Sequence, residues 1–304
     1  MPRQARTVVR NVCTFDNICT AFMEDRKRRG LAESSLRYYA DVFHWAAVQG
    51  FPHEVTTVSL ATIESWVSSI LASGMKPVTL NSKLRAIKGV MRYAAERGLL
   101  SEDLMESIHY VKHERPIIKT LTATQIKSLL HQCNDGTFAG VRDQALLLML
   151  LDTGCRASEL LGVSLHDLDV SRRSAVVLGK GRKGRRVWYS ERTGVALDQY
   201  LIERGKLAHD VVFVSEYNAP FSKRALQDRL KELGYRAGIK DVRVSPHTLR
   251  HTFAKMYVQN GGDIFTLQKM LGHTTMDMVR NYVEMFSEDV AAAHAKFSPV
   301  DSLR

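Results

Sequence analysis

Between Thr14 and Leu100 the apolar residues recur at helical spacing, and each run stops at a glycine. This punctuation constrains the fold more than any other property of the chain. Phe15, Ile18 and Phe22 mark one face of a segment that Thr14 can cap and that ends near Gly30. Leu36, Tyr39, Phe43 and Ala47 mark a second, capped by Ser34 or Ser35 and closed by Gly50. A third carries Ile63, Trp66, Ile70 and Leu71 up to Gly74, and a fourth carries Leu80, Leu84, Ile87 and Met91 up to Gly98, with Pro77 near its start. The first third of the chain is therefore expected to be a small all-helical domain.

At 304 residues the chain exceeds the usual size of one domain. From Val111 to Leu121 it turns polar and basic around Pro116, as an exposed connection does. The expected domains are 1–113 and 114–304. Thr122-x-x-Gln125 is a capping-box pattern that opens a new helix. The run Ala145 to Leu151 reads as part of a fully buried helix over 141–151, stopped by Gly154. Ser174 to Leu178 and Val187 to Tyr189 flank Gly179-Lys-Gly-Arg-Lys-Gly-Arg-Arg186, which predicts a hairpin with a basic, glycine-rich tip. Helices are predicted again over 194–203, 222–233, 246–258, 264–271 and 276–283, with an extended stretch at 211–214. The fold class is mainly α, with a small antiparallel sheet in an α+β second domain.

The chain is 45% hydrophobic and 25% charged, the balance of a soluble globular protein. Its longest apolar run falls far short of the roughly 20 residues of a membrane span, so no membrane partner is expected. Met-Pro-Arg-Gln-Ala-Arg at the N-terminus has no apolar signal core, which makes the cytoplasm the default location. Cys13, Cys19, Cys133 and Cys155 form no Cys-x-x-Cys pair and read as reduced, mostly buried thiols. A net charge of +11 suits a polyanionic partner, although many basic proteins bind nothing in particular.

The residues with chemistry to offer lie in the second domain. Arg156 stands in Asp152-Thr-Gly-Cys-Arg-Ala-Ser-Glu159, and His247-Thr-Leu-Arg250-His251, Leu271-Gly-His273 and Asn281-Tyr282 follow. Two guanidiniums can clamp a phosphate, imidazoles can move protons near neutral pH, and a phenol can be a nucleophile. Taken singly, each has a plainer reading. Arg156 and Glu159, one turn apart, suit a structural ion pair; His273 suits a helix end; Tyr282 suits a half-buried aromatic position. His247 and Arg250 share a helix face. His247 and His251 have the spacing of zinc ligands, but Thr248 stands where a metalloprotease needs glutamate, and no metal site is expected. Lys180 lies among Arg172, Arg173, Arg182, Lys183, Arg185 and Arg186, which suit either a solvated turn or a ribbon entering a DNA groove.

Order and spacing join these residues. Thr153-Gly-Cys-Arg156-Ala-Ser-Glu-Leu160, the Gly-Lys-Gly around Lys180, the His-x-x-Arg-His box at 247–251, and Leu-Gly-His273 with a tyrosine nine positions on resemble the motifs of the tyrosine site-specific recombinases and phage-type integrases, in an Xer-like layout. The resemblance implies a four-helix core-binding (SAM-like) domain followed by the tyrosine recombinase catalytic fold. It also implies that Arg156, Lys180, His247, Arg250, His273 and Tyr282 are catalytic, with Glu159 in support. Tyr282 would attack a DNA phosphodiester to leave a 3′-phosphotyrosyl link, without ATP, metal or other cofactor. The implied partner is double-stranded DNA with a specific core site. The protein would be a monomer or dimer when free and a homotetramer on two sites, exchanging strands through a Holliday junction, with room for an accessory protein. Lys76, Lys83, Arg85, Lys88 and Arg92 would meet phosphates from the first domain, and Arg182, Lys183 and Arg185 from the hairpin. The tail at 290–300 would dock on a neighbouring protomer, and the protein would be cytoplasmic and nucleoid-associated. Two rival readings are a type IB topoisomerase that only relaxes DNA and a catalytically silent DNA-binding protein.

Overall fold

A computed structural model describes residues 14–54, 58–99, 109–113, 118–179 and 184–272. The chain divides into two compact units, Met1–Arg115 and Pro116–Arg304.

In the first unit, α1 (Phe15–Arg28), α2 (Glu33–Val48), α3 (Leu60–Ala72) and α4 (Pro77–Ala95) follow the glycine punctuation. Thr14 and Ser59 cap their helices by accepting from the Asn17 and Thr62 backbone N–H groups. The second helix starts earlier than Ser34 or Ser35 would place it: Ala32 is its N-cap and makes no side-chain bond, while Glu33 puts a favourable negative charge in the first turn. Helix α4 packs against the other three, and its Leu80, Leu84, Ile87 and Met91 are fully buried. Burial of each such side chain stabilises the fold by roughly 1.5–3 kcal/mol. Phe22 lies edge-on to Tyr39, Phe43 and Tyr93 at 5.1, 5.8 and 5.6 Å.

The second unit opens with α5 (Ala123–His131), whose Thr122 and Gln125 form both arms of the capping box. Helix α6 (Phe138–Thr153) begins three residues before the sequence suggests, capped by Thr137, and buries Arg142 and Asp143 as well as its leucines. Leu148 and Leu151 remain partly exposed, so the helix is not apolar-buried all round. After Gly154 come the short α7 (Ala157–Leu161), a 3-10 turn, and strands β1 (Leu168–Asp169), β2 (Ser174–Leu178) and β3 (Gly184–Trp188) in a β1-β2-β3 antiparallel sheet. Strand β3 starts at Gly184, not at Val187, because Arg185 and Arg186 pair with Val177 and Val176 in the ladder. Helices α8 (Glu191–Arg204), α9 (Lys223–Arg236), α10 (Pro246–Gln259) and α11 (Ile264–Leu271) complete the described part, with α6 packed on α8 and α10. The 211–214 stretch, expected to be extended, bends at 212 and 213 and forms no strand; Val211 bridges Ser164 and Val214 bridges Pro220. The predicted helix at 276–283 lies outside the described residues.

Cys19, Cys133 and Cys155 are buried and unbridged. Burial pushes their thiols up to about 12, 12 and 11, so they stay protonated. No described helix is long and apolar enough to cross a membrane.

Candidate active site

The site grows from the end of α6. Gly154 stops that helix in the left-handed conformation, φ 60°, which glycine adopts without a Cβ clash. The chain then re-extends at Arg156, the N-cap of α7. From the first turn of α7 Glu159 reaches back: Oε2 accepts from the Arg156 backbone N–H and Oε1 from Arg156 Nη1, each at 2.8 Å. Arg185 Nη2 donates to Oε2 at 2.8 Å. The Glu159 side chain is only 3% exposed. Burial alone raises its pKa, but the bonds from Arg185, the Arg156 N–H and the Arg156 guanidinium outweigh it and hold the carboxyl at about 2. The Arg156–Glu159 ion pair of the plainer reading is present, and it leaves the Arg156 side chain 38% exposed. Pairing and ligand contact are therefore compatible in Arg156.

The second guanidinium belongs to α10. Pro246 occupies the first turn of that helix, and Ser245 caps it by accepting from the Thr248 N–H. One turn on, Arg250 is 5% exposed and donates from Nη1 to the Gly154 carbonyl and from Nη2 to the Leu271 carbonyl, both at 2.8 Å. A buried guanidinium held by carbonyl dipoles keeps its charge for an anion.

Arg156, Ser158, Lys223, His247 and Arg250 line one pocket. Burial lowers the His247 pKa below the ordinary histidine range, and Lys223, Arg250 and Arg156 lower it further. His251 is lowered by burial, then by His247 and Arg250. A neutral imidazole at ordinary pH is a competent proton acceptor. Among the described residues no three His, Cys, Asp or Glu side chains gather to hold a metal ion.

Lys180, Arg182, Lys183, His273 and Tyr282 lie outside the described residues, as does the tail at 290–300. Arg185, expected among the hairpin's phosphate contacts, is instead engaged inward: its side chain is 15% exposed and its Nε donates to the Met270 carbonyl at 2.9 Å. In the first unit, Lys76, Arg85 and Arg92 are exposed on or beside α4. Lys83 Nζ sits 4.1 Å over the Trp45 ring, and Lys88 Nζ and Arg85 Cζ lie 5.0 and 5.9 Å from the Tyr110 ring. Burial lowers the Lys83 pKa, partly countered by Asp41. Lys223 was not marked by the sequence patterns. Its only local signal is a cation directly after the α9 cap, Ser222, whereas its nearness to His247 is set by tertiary packing.

Comparison with known proteins identifies the family. The sequence model of the phage integrase family matches residues 119–288, more than half of the chain. Tyrosine recombinase XerD of Halalkalibacterium halodurans is 28% identical over 296 residues, spanning 94% of this chain and 99% of that protein. Tyrosine recombinase XerC of Xylella fastidiosa is 30% identical over 276 residues, spanning 88% and 93%. The solved structure of the Tn1549 transposon integrase in complex with transposon right end DNA is similar in fold, with a TM-score of 0.77 at 17% identity over 94% of this chain and 99% of that one. The chain belongs to the phage integrase family and is one of its tyrosine recombinases.

Proposed function

We propose that this enzyme is a site-specific DNA recombinase that cleaves and rejoins strands through a 3′-phosphotyrosyl intermediate. The observation that carries the reading is the shared pocket of Arg156, His247 and Arg250, two guanidiniums and an imidazole of depressed basicity supplied by helices distant in sequence. Such a pocket offers a phosphodiester the two cations its transition state needs. The Tyr282 phenol oxygen forms a bond to phosphorus as the bond from phosphorus to the 5′-oxygen breaks. His247 accepts the phenol proton, Lys180 protonates the leaving 5′-oxygen, and His273 adds a hydrogen bond to the phosphoryl oxygens. The phosphotyrosine conserves the bond energy, so a 5′-hydroxyl of a second duplex reverses the step without ATP.

Strand exchange in pairs implies a tetramer on two core sites and a Holliday junction between them, and an accessory protein can act on that assembly. The net charge of +11 and the basic residues of α4 suit the first unit to clamping the duplex, at the nucleoid of the cytoplasm. The relatives named above include an integrase solved with transposon-end DNA, which favours double-stranded DNA as the partner here.

The test is a suicide duplex bearing the chain's genomic site, recovered by covalent trapping and nicked beside the cleavage position. Wild type should yield a covalent protein–DNA adduct in EDTA, and Tyr282→Phe should yield none. Equal adduct from both sinks the assignment of the nucleophile, and relaxation of supercoils without recombinant product turns the reading to a topoisomerase.

A further inference from the structure

Seven basic residues lie between Val170 and Ser190, and the strand register turns Arg185 inward. Side chains alternate along a strand, so Arg185 shares its face with Val187, which is buried. Opposite these two on β2 stand Val177 and Ala175, both fully buried. Two bonds then fix the guanidinium: Nη2 to Glu159 Oε2 at 2.8 Å and Nε to the Met270 carbonyl at 2.9 Å. The same group lies against Gly272, where a Cβ would stand 3.1 Å from Nη1 and 3.3 Å from Cζ.

The carbonyls at the end of α11 lack intrahelical donors, and two arginines fill neighbouring ones. Arg185 takes Met270, and Arg250 takes Leu271. One peptide unit, about 3.8 Å between Cα atoms, thereby sets the offset between Arg250 and the Arg185–Glu159–Arg156 chain. Arg185 reaches two acceptors in different directions because a guanidinium presents donors in a rigid fork, which an ammonium on a flexible stem does not. Resting on the reading that Arg156 and Arg250 hold the phosphate, we propose that Arg185 is a positioning residue for the recombination reaction and not a DNA contact: it locks Arg156, through Glu159, to the α11 turn that holds Arg250.

The full chain and the nicked duplex described above supply the test, with single-turnover cleavage measured at saturating protein and DNA affinity measured across a salt series. Arg185→Lys should lower the saturating cleavage rate by about 10²-fold, the scale of a misplacement near 1 Å, and leave the dissociation constant and its salt slope unchanged. A phosphate contact behaves oppositely: affinity weakens, the salt slope falls by about one, and the saturating rate holds. That pattern overturns the proposal, as does an unchanged rate. Glu159→Gln breaks the same chain of bonds from its other side. Combined with Arg185→Lys it should cost little more than the larger single loss, because both changes break one chain of bonds, whereas fully additive losses overturn the link. Absence of any adduct from the wild type would fell the phosphate reading and this proposal with it; normal adduct with a normal Arg185→Lys rate fells this proposal alone.

Discussion

Arg250 donates to the Gly154 carbonyl at 2.8 Å, and Gly154, at φ 60°, has Phe253 Cδ1 2.3 Å from where a Cβ would sit. The turn that presents Arg156 and the carbonyl that fixes Arg250 are thus the same residue. Gly154→Ala adds backbone strain to overpacking against Phe253 and Leu271, a cost of roughly 2–4 kcal/mol. Thermal denaturation should show a lower Tm, and the shifted carbonyl should depress cleavage even well below that Tm. A variant with wild-type Tm would mean that Phe253 moves aside freely.

Glu159 titrates at about 2 in the fold, against an ordinary value of 4.5, because its bonds from Arg185 and Arg156 overcome its burial. A depressed carboxyl contributes stability that is fully present above the ordinary value and lost as pH falls through the folded one. Over about pH 4.5 to 2, wild type should therefore lose up to about 3 kcal/mol that Glu159→Gln never had. Denaturant titrations at pH 7 and pH 3 check this. The stability gap between wild type and Glu159→Gln should narrow toward acid, and a gap independent of pH would contradict the linkage.

Asp143 is buried between two arginines, taking Arg142 on one oxygen and Arg229 of α9 on the other. Arg142 in turn lies 4.1 Å over the Phe221 ring. Removing the carboxylate strands a buried guanidinium, so Asp143→Ala should cost about 3–5 kcal/mol. Equilibrium unfolding in urea should show this as a lower midpoint. The triple change of Asp143, Arg142 and Arg229 to apolar residues should recover much of the loss, since then no unpaired charge remains.

Local signals carried most of the helices. Thr14 with Asn17, Ser59 with Thr62 and Thr122 with Gln125 are cap bonds across three residues, readable without tertiary knowledge. The start of α2 escaped because Ala32 offers no side-chain cap, and the start of β3 escaped because its pairing with β2 is a register between two strands. Spacing singled out Arg156, His247 and Arg250, but their fixation was hidden: the Gly154 and Leu271 carbonyls that hold Arg250 carry no side-chain signature. Arg185 looked like one more cation of a basic hairpin until alternation along β3 set it beside Val187.

Lys223 acts on His247, the proposed proton acceptor. His247 is held below the ordinary histidine range by burial first, and then by Lys223, Arg250 and Arg156, with His251 one turn away. Each added cation makes the protonated imidazole costlier, so removing Lys223 must raise the pKa of His247. If the neutral imidazole takes the phenol proton, the cleavage rate falls as pH drops through that pKa. Single-turnover rates between about pH 5 and 8 should then show the acidic limb at higher pH in Lys223→Ala than in wild type, with Lys223→Arg restoring the wild-type limb. The alanine variant should also lose about one unit of salt slope in DNA binding, because a cation lining the phosphate pocket releases a counterion on association. A limb that stays in place while the slope falls would leave Lys223 as a phosphate contact without influence on His247. A limb that moves toward lower pH has the wrong sign for any loss of positive charge, and would exclude His247 as the acceptor.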